Sequence, residues 1–274
     1  MRFYALVFFV LVIVPIVILI RRALRRERRE KLKMLPFPDE WLKIVEKNIP
    51  LYKYLPDNLK KDLQGYIQIF IAEKGFEGCG GLEVTDEIKV TIAAQACFIL
   101  LNRGEPTYYP ELVSIVVYPS AYIATQKAAR GSEIVEEDSV RLGESWTLGT
   151  VVLAWDNVKK GTREFKSGQN VVIHEFAHQL DQEDGAADGA PILEKSENYV
   201  TWARVLSKEY EVLQKKAKRH KKSVMDYYGA TDPAEFFAVA TETFFEKGKK
   251  LKRTHPELYE ELQSYYKMDP AEWF

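Results

Sequence analysis

The clearest chemistry in the chain lies in one short segment. His174, Glu175 and His178 form a His-Glu-x-x-His motif that follows an apolar run of valine and isoleucine. Residues four apart on a helix share one face, so the two imidazoles can bind the same zinc ion. Glu175 is then placed to act as general base toward an attacking water. The motif predicts a catalytic zinc site, and such a site needs a third protein ligand.

Three carboxylates compete for the position of third ligand. Glu235 lies at the start of an apolar helical pattern, although it could instead form a capping box with Asp232. Glu242 follows seven residues later on roughly the same helix face, and could equally be the partner of a buried base. Asp184 stands ten residues after His174, at the spacing that metzincins use. Spacing alone leaves all three open.

Apolar periodicity predicts the elements that must hold these residues. Helices are expected over 39–47, 59–73, 86–101 (capped by Thr85), 199–217, 233–245 and 256–267, and strands over 113–118 and 149–155. The glycine-rich segment 75–81 is interpreted as a turn, 133–142 as a strand or loop, and His255 as an exposed residue. The pattern predicts a helix-rich α/β domain with a small mixed sheet.

The N-terminus has a different composition. Residues Phe3 to Ile20 contain no charged side chain, and as a helix these 18 residues would extend about 27 Å, close to the apolar thickness of a bilayer. Eight basic residues follow before residue 34, which places the following domain on the cytoplasmic side. We therefore predict a single-pass anchor in the cell (inner) membrane with its basic arm over 1–34, and a cytoplasmic domain over 35–274. A cleaved signal peptide is the alternative, but its basic cluster would precede the apolar run.

Charge and cysteine content exclude some other functions. Residues 1–34 carry a net charge of +7 and the remainder −8, which argues against direct nucleic-acid binding by the domain. The two cysteines, Cys79 and Cys97, are not spaced as a metal site, and Cys97 is expected to pack in the core.

Four sequence blocks in order resemble the MtfA family of zinc-dependent peptidases, which is named as a titration factor for the glucose repressor Mlc. The blocks are Gly143–Trp146, Val151–Trp155, His174–Asp181 and Tyr228–Val239. The resemblance implies a zincin-like domain with aminopeptidase-type activity on peptide or protein substrates, Zn²⁺ as cofactor, and a transcriptional regulator as a further partner.

By the same resemblance, His174 and His178 match the zinc-binding histidines, Glu175 the catalytic glutamate and Glu235 the third ligand. Members of the family carry a further histidine ahead of the Gly-x-Ser-Trp block, where it is proposed to block the metal. The corresponding segment Ser132–Leu142 contains no histidine. The resemblance therefore leaves open whether the metal site of this chain is self-inhibited in that way.

The remaining roles are assigned by chemistry. Tyr228 is the first choice for a hydrogen-bond donor to the developing oxyanion and Tyr227 the second, while either could simply pack in the core. Val151–Trp155 could be the edge strand that an extended peptide joins, or an ordinary core strand. Asp181 could hold an imidazole N–H or lie on the surface. A zinc-containing binding module that sequesters a regulator is the alternative function, although the intact Glu175 favours an enzyme.

Overall fold

A computed structural model describes residues 9, 13–104, 106–120, 122–130, 133–141, 143–146 and 149–273, with backbone alone between 122 and 146. The helices in these ranges are α1 (Val14–Met34), α2 (Asp39–Asn48), α3 (Asp57–Glu73), α4 (Asp86–Phe98), α5 (Trp155–Arg163), α6 (Val171–Asp181), α7 (Asn198–Lys218), α8 (Pro233–Glu246), α9 (Gly248–Thr254) and α10 (Pro256–Tyr266). The strands are β1 (Gly75–Gly78), β2 (Ser114–Tyr118), β3 (Tyr122–Arg130), β4 (Glu133–Arg141), β5 (Gly143–Trp146) and β6 (Thr150–Ala154). The helix-rich α/β prediction is confirmed.

The main sheet has the strand order β1-β2-β6-β5 and is mixed, as expected. Strands β1, β2 and β6 are parallel, and β5 pairs antiparallel with β6 from Gly143↔Leu153 to Trp146↔Thr150. The prediction that Val151–Trp155 forms an edge strand is wrong, because β6 lies between β2 and β5 and Trp155 already begins α5. A run of β-branched residues indicates that a strand is buried on both faces of its sheet, but it does not indicate which strands pair with it. Strands β3 and β4 form a separate hairpin.

Helix α4 is the central element of the core. Every residue from Val90 to Phe98 is buried, and α4 packs against both α3 and the motif helix α6. Thr85 caps α4 by accepting a hydrogen bond from the Ile88 amide, and Cys97 lies fully buried, as predicted. Aromatic edge-to-face pairs join Phe70 to Phe176 of the motif helix at 5.7 Å between ring centroids. The site helix therefore packs directly against the buried core of the domain.

Helix α1 begins inside the predicted apolar run and ends in the basic arm. Its last turns pack against α3: the Arg29 guanidinium forms two 2.8 Å hydrogen bonds with Glu73, and Lys33 pairs with Asp62 at 3.1 Å. In the described ranges we find no helix with both the length and the apolarity that a bilayer crossing demands. Half of the predicted span Phe3–Ile20 lies outside those ranges.

Two local predictions are wrong. The segment interpreted as a glycine turn contains β1, whose residues Gly75–Gly78 pair in parallel with β2. A side chain at Gly78 would place its Cβ 2.0 Å from the Leu82 carbonyl oxygen, so glycine is required by a close backbone approach. His255 is buried rather than exposed, because its Nδ1 bonds the Glu209 carboxylate at 2.6 Å. That partner comes from α7, 46 residues away, and no local pattern reveals it.

Candidate metal centre

Helix α6 carries the motif, and its start is fixed by a side-chain cap. The Asn170 side chain accepts a hydrogen bond from the Ile173 amide at 3.2 Å. Asparagine is among the preferred N-cap residues because it satisfies an amide that the first turn leaves free. Val172, Ile173 and Phe176 are buried, which anchors the apolar face of α6 in the core. The two histidines are thereby held at adjacent turns of a rigid helix.

Helix α8 carries Glu235 toward that helix. Asp232 caps α8 by accepting a hydrogen bond from the Glu235 amide at 2.9 Å, and Pro233 occupies the first turn, as predicted. The Glu235 side chain extends to the histidines instead of returning to complete a capping box. Burial alone would raise the pKa of Glu235, but the His174 and His178 rings beside the carboxylate outweigh burial and lower the pKa below its usual range.

The donor atoms of three predicted ligands meet in one small triangle. His174 Nε2 lies 3.2 Å from His178 Nε2 and 2.9 Å from Glu235 Oε2, and the third side, from His178 Nε2 to Glu235 Oε2, measures 3.4 Å. Donors bound tetrahedrally to zinc at about 2.0–2.1 Å lie about 3.3 Å apart. The triangle therefore has the size and the mixed nitrogen and oxygen chemistry that zinc requires.

Glu242, the second candidate ligand, contacts the far side of the same histidine. Its Oε1 lies 2.8 Å from His174 Nδ1, and its Oε2 accepts a hydrogen bond from the Asn170 amide. An ionised carboxylate can only accept, so Nδ1 carries the hydrogen and a neutral His174 has its lone pair on Nε2. That is the nitrogen that faces His178 and Glu235. Glu242 thus fixes both the orientation and the tautomer of His174.

Glu246 was not singled out from the sequence, and it extends this contact by one turn of α8. Its Oε2 accepts a 2.8 Å hydrogen bond from the Gly168 amide, and its Oε1 accepts one from Asn170 Nδ2 at 3.2 Å. Burial is the largest effect on its pKa, which is raised to about 7. The sequence does offer a clue, because Glu246 lies four residues after Glu242 on the same face of an apolar helix. Two buried carboxylates at that spacing both need hydrogen-bond donors or positive charges nearby.

Glu175 lies between the two histidines in sequence and is buried. Burial raises its pKa to about 7, against the lowering influence of His174 and His178, while Glu235 and Glu242 raise it further. A carboxyl group with such a pKa can both accept and release a proton near neutral pH. Its protonation chemistry therefore suits a general base that must later act as an acid.

The two tyrosines differ in position. The Tyr228 hydroxyl donates to Glu235 Oε1 at 3.3 Å, and its ring centroid lies 5.8 Å from that of His174. Burial and the neighbouring Glu235 raise the pKa of Tyr228 to about 12, so its hydroxyl remains a donor at neutral pH. The Tyr227 hydroxyl donates to the Lys221 carbonyl instead. The geometry favours Tyr228 over Tyr227.

Asp184 and Asp181 do not join the triangle. Asp184 is exposed, and its Oδ1 accepts a hydrogen bond from the Ala186 amide. Asp181 is fully buried, and its Oδ2 accepts a 2.9 Å hydrogen bond from the Gly189 amide, which matches neither role considered for it. Gly189 has φ +79°, and a Cβ there would lie 2.5 Å from the Pro233 carbonyl oxygen. Asp181 therefore holds the loop after α6 against the start of α8.

The surrounding charge also fits a cation. Glu175, Glu235 and Glu242 are close enough to influence one another electrostatically, and each of the last two raises the pKa of Glu175. Among the described residues, His174, His178 and Glu235 form the one group of three metal-ligating side chains whose donor atoms lie within 4.8 Å of one another. A divalent cation at this triangle would relieve the repulsion between the carboxylates.

Comparisons with known proteins agree with this geometry. The sequence matches the family described as glucose-regulated metallo-peptidase M90 over residues 22–267. It is 41% identical over 245 residues to an uncharacterized protein of Synechocystis sp., covering 89% of each chain. It is 30% identical to Mlc titration factor A of Pectobacterium atrosepticum over 227 residues, which cover 81% of this chain and 84% of the relative. The same protein of Serratia proteamaculans is 30% identical over 226 residues, with coverage of 81% and 85%. The resemblance seen in the four sequence blocks is confirmed, and the chain belongs to the M90 family of glucose-regulated metallopeptidases.

Proposed function

We propose that this protein is a zinc-dependent peptidase of the aminopeptidase type, attached to the membrane by its N-terminal helix. The observation that carries the peptidase proposal is the triangle of His174, His178 and Glu235 beside a buried Glu175 with a pKa of about 7. A zinc ion held by this triangle would supply a Lewis acid for the scissile carbonyl and the attacking water.

The side chains of the site divide the remaining work. Glu175 accepts the proton of the attacking water and delivers it to the leaving amine, because its pKa allows both steps near neutral pH. Tyr228 offers its hydroxyl to the oxyanion as the tetrahedral intermediate forms. Glu242 keeps the His174 ring oriented throughout and transfers no proton to substrate.

Strand β5 supports the binding of an extended substrate. Gly143–Trp146 stands at one edge of the described sheet, and the motif helix packs against it. An extended peptide can join such an edge through backbone hydrogen bonds. We therefore assign the peptide-binding edge to β5 and not to the Val151–Trp155 segment, whose strand lies inside the sheet.

Metal analysis and peptide hydrolysis on the purified full-length protein test the peptidase proposal. We expect about one zinc per chain, no tight binding in His174→Ala/His178→Ala, and hydrolysis that falls by roughly 100-fold in Glu175→Gln while zinc is retained. Full zinc occupancy in the double variant would refute the metal site. Equal hydrolysis of free and N-acetylated peptides would refute the aminopeptidase preference, which comes from the family resemblance.

The names of the relatives favour a second function. Mlc titration factor A is named for a regulator, and a regulatory protein is accordingly our proposed partner for this chain. If a regulatory protein binds the Glu175→Gln variant as tightly as it binds the unaltered protein, its interaction with this chain is binding and does not depend on hydrolysis.

The proposed location is the inner membrane with the peptidase domain in the cytoplasm. It is supported by the uncharged run Phe3–Ile20 and the basic residues that follow it. Protease digestion of intact cells checks it, since a cytoplasmic domain is protected until the membrane is opened.

A further inference from the structure

A cleft of about 490 Å³ opens where α1 meets the domain. We call it the arm cleft. Its walls are formed by Arg25, Arg28 and Arg29 of α1, by Glu73 and Lys74 at the end of α3, and by Pro110, Leu112 and Val113 before β2. Four basic side chains and one carboxylate thus line a space of the size that small ligands occupy in proteins.

The single carboxylate of the arm cleft is already neutralised. Both Glu73 oxygens accept 2.8 Å hydrogen bonds from Arg29, and this contact lowers the pKa of Glu73 although burial would raise it. Lys74 already has protein partners, because its Nζ donates to the carbonyls of Tyr109 at 2.6 Å and Leu112 at 2.7 Å. The charge that remains for a ligand comes from the other two arginines.

Arg25 and Arg28 lie one helical turn apart on the face of α1 that lines the arm cleft. Neither guanidinium makes a hydrogen bond or ion pair with any residue in the described ranges, and both side chains are exposed. Two guanidinium forks on adjacent turns match the oxygen geometry of a phosphate group. The cleft is therefore complementary to a phosphate monoanion or diester.

The surroundings indicate which phosphate. Leu24 and Val113, both at the cleft, are 60% and 68% exposed, and the residues of α1 from Val14 to Ile20 expose their apolar side chains as well. Along the helix, Arg25 lies about 7.5 Å and Arg28 about 12 Å beyond Ile20. The headgroup region of a bilayer leaflet is about 5–8 Å thick. If the apolar run enters the membrane, the backbone of Arg25 lies at the depth of the lipid phosphates, and Arg28, about 4 Å beyond that region, reaches toward them with its long side chain.

We propose that the arm cleft binds the phosphate of an anionic phospholipid through Arg25 and Arg28. This site rests on the proposed membrane attachment and is independent of the zinc site. It would orient the peptidase domain against the cytoplasmic face of the bilayer, since α1 is fixed to α3 by the Arg29–Glu73 pair. Anionic lipid would then strengthen attachment beyond what the apolar run provides.

Flotation of the full-length protein with vesicles of phosphatidylcholine, with or without phosphatidylglycerol, tests the proposal. We expect phosphatidylglycerol to tighten binding and Arg25→Gln/Arg28→Gln to weaken that gain by more than about 30-fold, because diffuse attraction alone contributes roughly fivefold for each basic residue at an anionic surface. The control Arg26→Gln/Lys31→Gln removes the same formal charge from the same helix but from residues that do not line the cleft. It should lose at most this diffuse share, and unchanged thermal melting shows that each variant is folded.

Each other outcome overturns a defined part of this reasoning. Equal losses in the two double variants would mean diffuse attraction of the basic helix and no cleft site. Binding to both vesicle types without preference would refute the headgroup site while leaving the membrane attachment intact. Failure to float with either type would refute the attachment itself. If inorganic phosphate binds through Arg25 and Arg28 and phosphatidylglycerol adds nothing, the ligand is free phosphate and the lipid proposal is wrong.

Discussion

Replacing Glu242 by glutamine should weaken zinc binding although Glu242 is not one of the three proposed ligands. Its two oxygens accept hydrogen bonds from the Asn170 amide and from His174 Nδ1. Glutamine has the same shape but only one acceptor, so one of these donors would face an amide NH₂ group. If His174 loses its partner, its ring is no longer held with Nε2 toward the triangle.

The size of the effect follows from what is removed. A hydrogen bond to a charged group contributes about 1.5–3 kcal/mol, which corresponds to roughly a tenfold to hundredfold change in an equilibrium constant. Loss of a carboxylate that orients a metal-binding histidine costs a similar factor in metal affinity. We therefore expect the zinc dissociation constant of Glu242→Gln to rise by about 10- to 100-fold. Competition with a chromophoric chelator measures it without reference to catalysis.

Glu246→Gln is the matched control. Glu246 lies one turn further along α8 and also contacts Asn170, but it makes no hydrogen bond with His174 within the described part of the chain. Its zinc affinity should stay within about twofold of the unaltered protein, because the histidine keeps its partner. Unchanged zinc affinity in Glu242→Gln would refute the orienting role. An equal loss in both variants would show that docking of α8 on α6 matters, rather than the orientation of one ring.

Three further changes probe the site and the core. Glu235→Gln should lose both zinc affinity and hydrolysis, whereas a residue that only caps α8 would leave zinc content normal, and metal analysis separates the two. The folded-state pKa of Glu246 is raised to about 7, so the folded protein binds this proton more tightly than the unfolded chain does. The proton therefore contributes at most about 3 kcal/mol to the free energy of unfolding; this contribution is complete below pH 4.5 and is lost as the pH rises through 7. Urea unfolding across that range should show a flatter pH dependence in Glu246→Gln, and an identical slope would contradict the assignment. His255→Leu should reduce the free energy of unfolding by about 3 kcal/mol, since it leaves the Glu209 carboxylate buried without its partner. His220→Leu, at an exposed position, should change stability little, and equal effects of the two would refute the buried pair.

Local patterns predicted most of the elements that carry the site. The histidine spacing defines a helix face, and Asp232 followed by Pro233 marks the start of α8, so both site helices could be derived from the sequence. These signals involve residues within one or two turns of each other. They do not say which carboxylate of α8 points at the histidines, because Glu235 and Glu242 share a face. The family resemblance chose between them, and the structure places them on opposite nitrogens of His174.

The errors came from partners distant in sequence. His255 was expected on the surface because nothing near it in the chain needs an imidazole, yet Glu209 lies beside it in the fold. Strand β1 is not predicted from the sequence because glycine has low strand propensity, and its four residues form a strand only through their pairing with β2. The position of β6 inside the sheet depends on the antiparallel return of β5. Each feature depends on non-local pairing that a single sequence does not record.

The separation of the ligands along the chain has a consequence for folding kinetics. Glu235 meets His174 across 61 residues, a segment that includes all of α7. Closing a loop of that length costs entropy that is recovered only when the helices dock, so the complete triangle forms late on the folding path. An interaction absent from the transition state slows unfolding without speeding folding. Bound zinc should therefore lengthen the lifetime of the native state while leaving the rate of refolding nearly unchanged.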